Sequence, residues 1–166
     1  MKIRLAVPQD QAALIDLAKQ NQAETVFGDI SVNSLRVNET LNALFHLNHG
    51  KYVLIVAENA EGKLVAGLLG CVERYYFSDE LQAQLVQWYL LPSVRGTSIA
   101  LRLVKAFVEW AKSRGASEVF MGITSGIHVQ QTDSMMKKMG FTHLGGNYAV
   151  KLKSQTVPGN SPTFHR

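Results

Sequence analysis

The spacing of apolar and polar positions along the chain switches between a period of two and a period near 3.6, and the switches mark the elements. Residues 2–7 (KIRLAV) alternate and predict a short strand, ended by Pro8. Asp10 stands where it can cap a helix whose apolar positions Leu14, Ile15, Leu17 and Ala18 share one side. Periodicity is lost over residues 21–33, which read as a loop or an irregular helix–helix connection containing Gly28 and Asp29. Ser31 or Asn33 is placed to cap a second helix running to about Asn48, with Val37, Leu41, Leu44 and Phe45 at helical spacing. Gly50 stops that helix. Tyr52–Glu58 then reads as a buried strand and residues 59–63 as a tight turn. Leu64–Arg74 returns as the hairpin partner, where Gly67 and Gly70 either weaken the strand or mark the close approach of another backbone. Residues 81–91 predict a further strand, antiparallel to the previous one because the connection is short.

The second half of the chain is organised around residues 84–115, in which an apolar strand meets Pro92, an Arg-Gly-Thr-Ser turn and a long amphipathic segment. Ala100, Leu103, Val104, Phe107, Val108 and Ala111 form the apolar stripe of a helix over residues 98–113, closed by Gly115. A strand, a polar turn and a helix in that order aim the first helical N–H groups out of the turn, a ready site for phosphate. Residues 117–123 predict a strand parallel to the one before the helix, through a right-handed crossover. Residues 129–139 predict a last helix ended by Gly140, and Gly145-Gly146-Asn147 a turn between strands at 141–144 and 148–153. The expected order is β-α-α-β-β-β-α-β-α-β-β, a mixed α/β sheet covered by helices in one domain over residues 1–153. Residues 154–166 carry two prolines and no periodicity, and are expected to form a flexible tail.

Composition narrows the class. The chain has 166 residues and is 46% hydrophobic, enough for one domain with a proper core. One cysteine, Cys71, excludes an internal disulfide framework and fits a reducing compartment. No apolar run approaches membrane-spanning length and the N-terminal apolar run is broken by Pro8 and Asp10, so a cytoplasmic location is expected. Net charge is +4 but unevenly spread: residues 1–91 carry 7 Lys and Arg against 10 Asp and Glu, residues 92–166 carry 10 against 3. A basic half suits a phosphorylated cofactor or nucleic acid, and an acidic half a cationic substrate such as an amine. Nucleic acid ranks last, because the basic half lacks aromatic interleaving and any recognised motif. The five histidines are scattered, and His46 and His49, at helical spacing, have no nearby carboxylate or cysteine partner, so no metal site is expected. No Gly-Lys-Ser/Thr follows the turn, which excludes Walker-type nucleotide binding.

The element order, the turn at Arg95-Gly96-Thr97-Ser98-Ile99-Ala100 and the late Met139-Gly140-Phe141 together resemble the GNAT superfamily of acyl-coenzyme A-dependent N-acetyltransferases. The family's cofactor motif is Arg/Gln-x-x-Gly-x-Gly/Ala; its first and last positions match here, and Ser98 replaces the central glycine. The resemblance implies that the fourth and fifth strands splay apart, that acetyl-coenzyme A is the co-substrate, and that its pyrophosphate sits on residues 95–100. It further implies that the pantetheine pairs with the backbone of Tyr89, Leu90 and Leu91, with an N–H near Leu90 polarising the thioester carbonyl. The implied reaction is direct attack of a primary amine on the thioester in a ternary complex, and dimers are common among such proteins.

The acid and base are less readily placed. The family's usual tyrosine acid falls on Met136 and its usual asparagine on Val129, and neither side chain can donate a proton. The candidates that remain are Tyr89 as acid, His128 as acid or cofactor contact, and Glu73 as a base acting through water. Gln87 stands where some relatives carry a glutamate, Tyr148 is placed to reach in from the final hairpin, and Cys71 lacks a neighbouring base. A GNAT-type domain that holds acyl-coenzyme A without turnover is the second reading. The acceptor amine is not encoded in any motif.

Overall fold

The computed structural model of the chain describes residues 1–150. Residues 151–153 of the expected domain, and the tail at 154–166, lie outside the described residues. One five-stranded sheet runs β1 (Lys2–Leu5), β2 (Tyr52–Glu58), β3 (Leu64–Arg74), β4 (Leu81–Leu90) and β5 (Ala116–Phe120), in that spatial order. The first three pairings are antiparallel and β4 with β5 is parallel. Helices α1 (Gln11–Glu24) and α2 (Ser34–His46) cover one face and α3 (Ile99–Ser113) the other, and α4 (Val129–Lys138) follows β5. Among the described residues no helix is long and apolar enough to cross a membrane.

The sheet is covered on both faces, which is why β2 and β3 read as nearly continuous apolar runs. The larger core packs Leu68, Ile99, Leu103 and Phe107 between the sheet and α3, each at most 2% exposed. Gly70 of β3 sits directly beneath Phe107, and a Cβ at that position would lie 2.1 Å from Phe107 Cε2. The glycine therefore admits a side chain rather than the neighbouring backbone that the sequence suggested. On the other face Leu14, Leu17, Leu41, Val56, Leu64 and Tyr89 form a smaller core with α1 and α2.

Three local expectations change and one open alternative is settled. Asp10 does not cap α1 with its side chain; it accepts from the Val7 N–H at 2.9 Å and from both terminal nitrogens of Arg4 at 2.7 and 2.9 Å. Arg4 also donates to Glu58 across the β1–β2 pair, which ties the amino-terminal strand to the first helix. Asn33 rather than Ser31 caps α2, its Oδ1 accepting from the Arg36 N–H at 3.1 Å. Helix α1 continues through Asn21 to Glu24, residues that sequence periodicity assigned to a loop or irregular connection. Finally, residues 141–150 form no hairpin. Of the turn residues only Gly145 has a positive φ, where a type I′ hairpin turn needs two. Leu144, Tyr148 and Val150 are 77%, 98% and 77% exposed and give strands there no apolar face to bury. Asn147 instead donates from its side chain to the Ile123 carbonyl at 3.1 Å.

Candidate active site

Strands β4 and β5 pair only from Leu81 opposite Ala116 to Gln84 opposite Phe120. Strand β5 then ends while β4 continues to Leu90, and the gap widens into an open cleft of about 1680 Å³. A bulge prepares the upper part of β4. Its register to β3 slips so that Leu69 faces Gln87 and Gly70 faces Leu85, leaving Val86 with no residue opposite. One inserted residue reverses the alternation of faces. Ala83 and Leu85 before the bulge, and Trp88 and Leu90 after it, all pack toward α3, whereas Tyr89 packs toward α1 and α2. In an unbulged strand of the same length Tyr89 would share the face of Ala83 and Leu85.

The ladder also decides which backbone groups face the cleft. Leu91 donates its N–H to Val65 at 2.9 Å and Tyr89 lies opposite Gly67. Antiparallel alternation then turns Tyr89 and Leu91 toward β3, and Trp88 and Leu90 toward the gap. The Leu90 carbonyl already accepts from Arg95 Nε at 3.0 Å.

Beyond Leu91 a short turn at Pro92–Val94 leads into Gly96, with φ +75°, and then into α3. Thr97 Oγ1 donates to the Val94 carbonyl at 2.7 Å and fixes the turn. Ser98 has φ −70° and makes no side-chain cap. The backbone therefore requires glycine at position 96 and not at 98, which accounts for the serine without strain. Gly96, Thr97, Ser98 and Ala100 line the cleft, and the N–H groups opening α3 lack intrahelical partners there. Ile99, 2% exposed, is core, and neither it nor Leu91 lines the cleft.

Opposite this turn stands a cluster that the sequence does not announce. Tyr89, 8% exposed, donates its hydroxyl to Glu24 Oε1 at 2.8 Å. Arg95 pairs with the other Glu24 oxygen, and its guanidinium lies 5.5 Å from the Tyr89 ring centroid. The Arg95 hydrogen bond holds the Glu24 carboxyl below the ordinary carboxylate range against an opposing effect of burial, with smaller help from Tyr89 and from the charge of His128. Burial first, and the bond to Glu24 second, push the Tyr89 phenol up to about 12. A phenol so held stays protonated at neutral pH and is a weaker acid than a free tyrosine. Arg95, read from sequence as a phosphate contact, has its guanidinium committed to Glu24 and Leu90.

His128 lines the cleft at the start of α4, exposed and with φ +47°. Glu73 does not come near: it lies opposite Gln82, about 23 Å along β4 from Tyr89 at the usual rise per residue. That separation removes it from the site. Met136 is buried at 8% exposure and is not on the cleft wall, whereas Met135 and Met139 are. The Cys71 thiol is buried and pushed up by burial, as fits a core residue. Among the described residues no group of three His, Cys, Asp or Glu is arranged to hold a metal ion.

Asn21 and Glu24 escaped the sequence reading, yet a signal was there. Positions 14, 17, 21 and 24 lie on one helical stripe, apolar at its first two and polar at its last two. Asn21 is 8% exposed and lines the cleft, and among the described residues its side-chain amide has no hydrogen-bond partner.

A sheet splayed beyond its fourth strand, with a glycine turn opening a helix on the gap, is an acyltransferase architecture. The chain belongs to the acetyltransferase (GNAT) family, whose model matches residues 17–141. Solved structures agree on the fold. The glucosamine-6-phosphate N-acetyltransferase of Arabidopsis thaliana superposes with a TM-score of 0.72 at 18% identity, over 91% of this chain and 97% of that one. An aminoglycoside antibiotic 6'-N-acetyltransferase of Acinetobacter haemolyticus gives 0.68 at 17% identity, over 92% and 99%. A ribosomal-protein-alanine N-acetyltransferase of Brucella melitensis gives 0.66 at 13%, over 91% and 99%. No curated protein sequence is significantly similar to the chain.

Proposed function

We propose that the protein transfers the acetyl group of acetyl-coenzyme A to a primary amine by direct attack in a ternary complex. The observation that carries this reading is the parting of β4 from β5 beyond Gln84, with Trp88 and Leu90 presenting backbone groups to the gap and α3 opening on the same space. In this reading the pyrophosphate rests on the N–H groups from Thr97 to Leu101, where the helix terminus favours anions. The pantetheine runs along the outer edge of β4. The Leu90 N–H polarises the thioester carbonyl as charge develops on its oxygen. Glu24, ionised beside Arg95, draws the acceptor's ammonium toward the carbonyl carbon.

The acceptor ammonium loses one proton to water, its nitrogen forms the new C–N bond, the C–S bond breaks, and the second proton lost from nitrogen matches the one the thiolate takes up. His128 fits the proton transfer best, being an imidazole on the cleft wall, a side-chain type that exchanges protons near neutral pH. Tyr89 fits it less well, since its raised phenol gives up its proton reluctantly to a thiolate. Tyr89 and Arg95 then serve to hold Glu24. In the second reading the domain binds acyl-coenzyme A without turnover, and it is favoured by the burial of Met136 and the commitment of the Tyr89 hydroxyl to Glu24.

Calorimetric titration with acetyl-coenzyme A, followed by thiol release across a panel of amines, separates the two. Binding with amine-dependent thiol release is expected. Binding without release favours the second reading, and no binding at all defeats both.

A further inference from the structure

A smaller cavity of about 240 Å³ opens beside the cleft, on the α1–α2 face of the sheet. Leu14 and Leu17 of α1, Leu41 and Leu44 of α2, and Leu54 and Leu69 of the sheet supply its walls. It shares Asn21, Trp88 and Tyr89 with the cleft, so the two spaces meet at the point on β4 where the thioester lies in the function proposed above. We infer that this side chamber receives the acyl chain of the donor, and that the protein accepts aliphatic acyl-coenzyme A thioesters longer than acetyl. The inference rests on the acyl-coenzyme A reading of the cleft.

Three observations favour an acyl chain over the acceptor amine. The described lining contains no carboxylate, and its one charged side chain is the cationic Arg36, so an ammonium gains nothing by entering. The walls are otherwise dominated by leucine, suited to a neutral hydrocarbon. The volume is about eight times the ~30 Å³ share of one water molecule, far more than an acetyl methyl fills. Depth comes from Gly67, which lies opposite Tyr89; a Cβ there would meet only Leu14 Cδ2, at 4.0 Å. At the junction the Asn21 amide, nearly buried and without a partner among the described residues, can hydrogen-bond the carbonyl from which the chain departs.

The test is a calorimetric series with coenzyme A and its acetyl, butyryl and hexanoyl thioesters. Each methylene buried in the chamber is expected to strengthen binding about fourfold. Gly67→Leu, which projects a side chain into the chamber, is expected to flatten the series; Leu44→Phe fills it from α2 and serves if the first variant does not fold. The hexanoyl-to-acetyl ratio of kcat/KM falls with it. A flat series in the unaltered protein that still binds coenzyme A overturns the acyl-chain assignment alone, as does a rising series that either folded variant leaves unchanged. Failure to bind coenzyme A itself overturns the donor reading and the chamber's role with it.

Discussion

Glu24, Tyr89 and Arg95 form a set whose members are each placed by a different element, and their titration can be read in stability. The Glu24 carboxyl is lowered from its usual 4.5 in the folded protein. Its contribution is therefore complete above pH 4.5 and is lost as pH falls through the lower folded value. Tyr89 is raised from 10 to about 12, so its contribution is complete below pH 10 and is lost as pH climbs toward 12. Urea denaturation across both ranges is expected to show Glu24→Gln with a shallower acid limb and Tyr89→Phe with a shallower alkaline one. Near neutral pH, Tyr89→Phe is expected to cost about 1.5–3 kcal/mol, the usual range for a hydrogen bond to a charged partner. A Tyr89→Phe protein with unchanged limbs and unchanged neutral stability would show that the contact to Glu24 carries no energy. For catalysis, retention of most of kcat in Tyr89→Phe is the expected outcome; a hundredfold loss would instead make the phenol the proton donor.

Strand and helix boundaries were legible wherever periodicity was governed by the core. Tyr52–Glu58 and Leu64–Arg74 agree to the residue, and α3 begins one residue after its expected start. The reading failed at α1, whose last turn abandons apolar spacing because Asn21 and Glu24 face the site rather than the core. Pattern recognition treats a polar residue on the inward stripe as the end of a helix, although it can equally mark the edge of a functional site. It failed again at residues 141–150, where glycine and asparagine suggested a turn that no buried face supports. Gly96, Thr97, Ser98 and Ala100, which line the cleft, were legible because the turn has a local signature. Glu24 was not, because its partners lie 65 and 71 positions away. At the same scale, Gly70→Ala is expected to destabilise the protein by about 1–3 kcal/mol through its clash with Phe107. Thermal denaturation of Gly70→Ala, Phe107→Leu and the double variant tests this. The expected coupling is a partial rescue of the first by the second, and strict additivity would place the strain elsewhere.

For the molecule as a whole, the uneven charge has a definite address. Lys105 and Lys138 from the basic half line the cleft together with Arg95, while Glu24 from the acidic half stands beside Tyr89. The two halves therefore meet across the site; Glu109 and Glu118 also line it, so the cationic wall is one of modest net charge, suited to phosphate, with Glu24 an acidic point suited to an amine. Coenzyme A affinity is expected to fall as salt rises, and Lys105→Ala to weaken it about two- to fivefold at low salt, consistent with one partly exposed charge contact. Calorimetry at two ionic strengths checks this, and an affinity indifferent to both changes would remove the cationic wall from the account.

The bulge at Val86 has a further consequence for how this chain can change over generations. Its side chain is 53% exposed, so substitution there costs little. Removal of the residue is also accommodated, because Leu85 and Gln87 already stand opposite the adjacent Gly70 and Leu69, and closing the bulge leaves the residues from Gln87 to Leu90 on their present faces. The bulge thus holds one spare residue in β4: point changes at 86 are nearly silent and a single-codon deletion there is absorbed, while a second deletion in the strand swaps the faces of Tyr89 and Trp88 and separates Tyr89 from Glu24. Loss of one residue from this strand is therefore expected to pass, and loss of two is not.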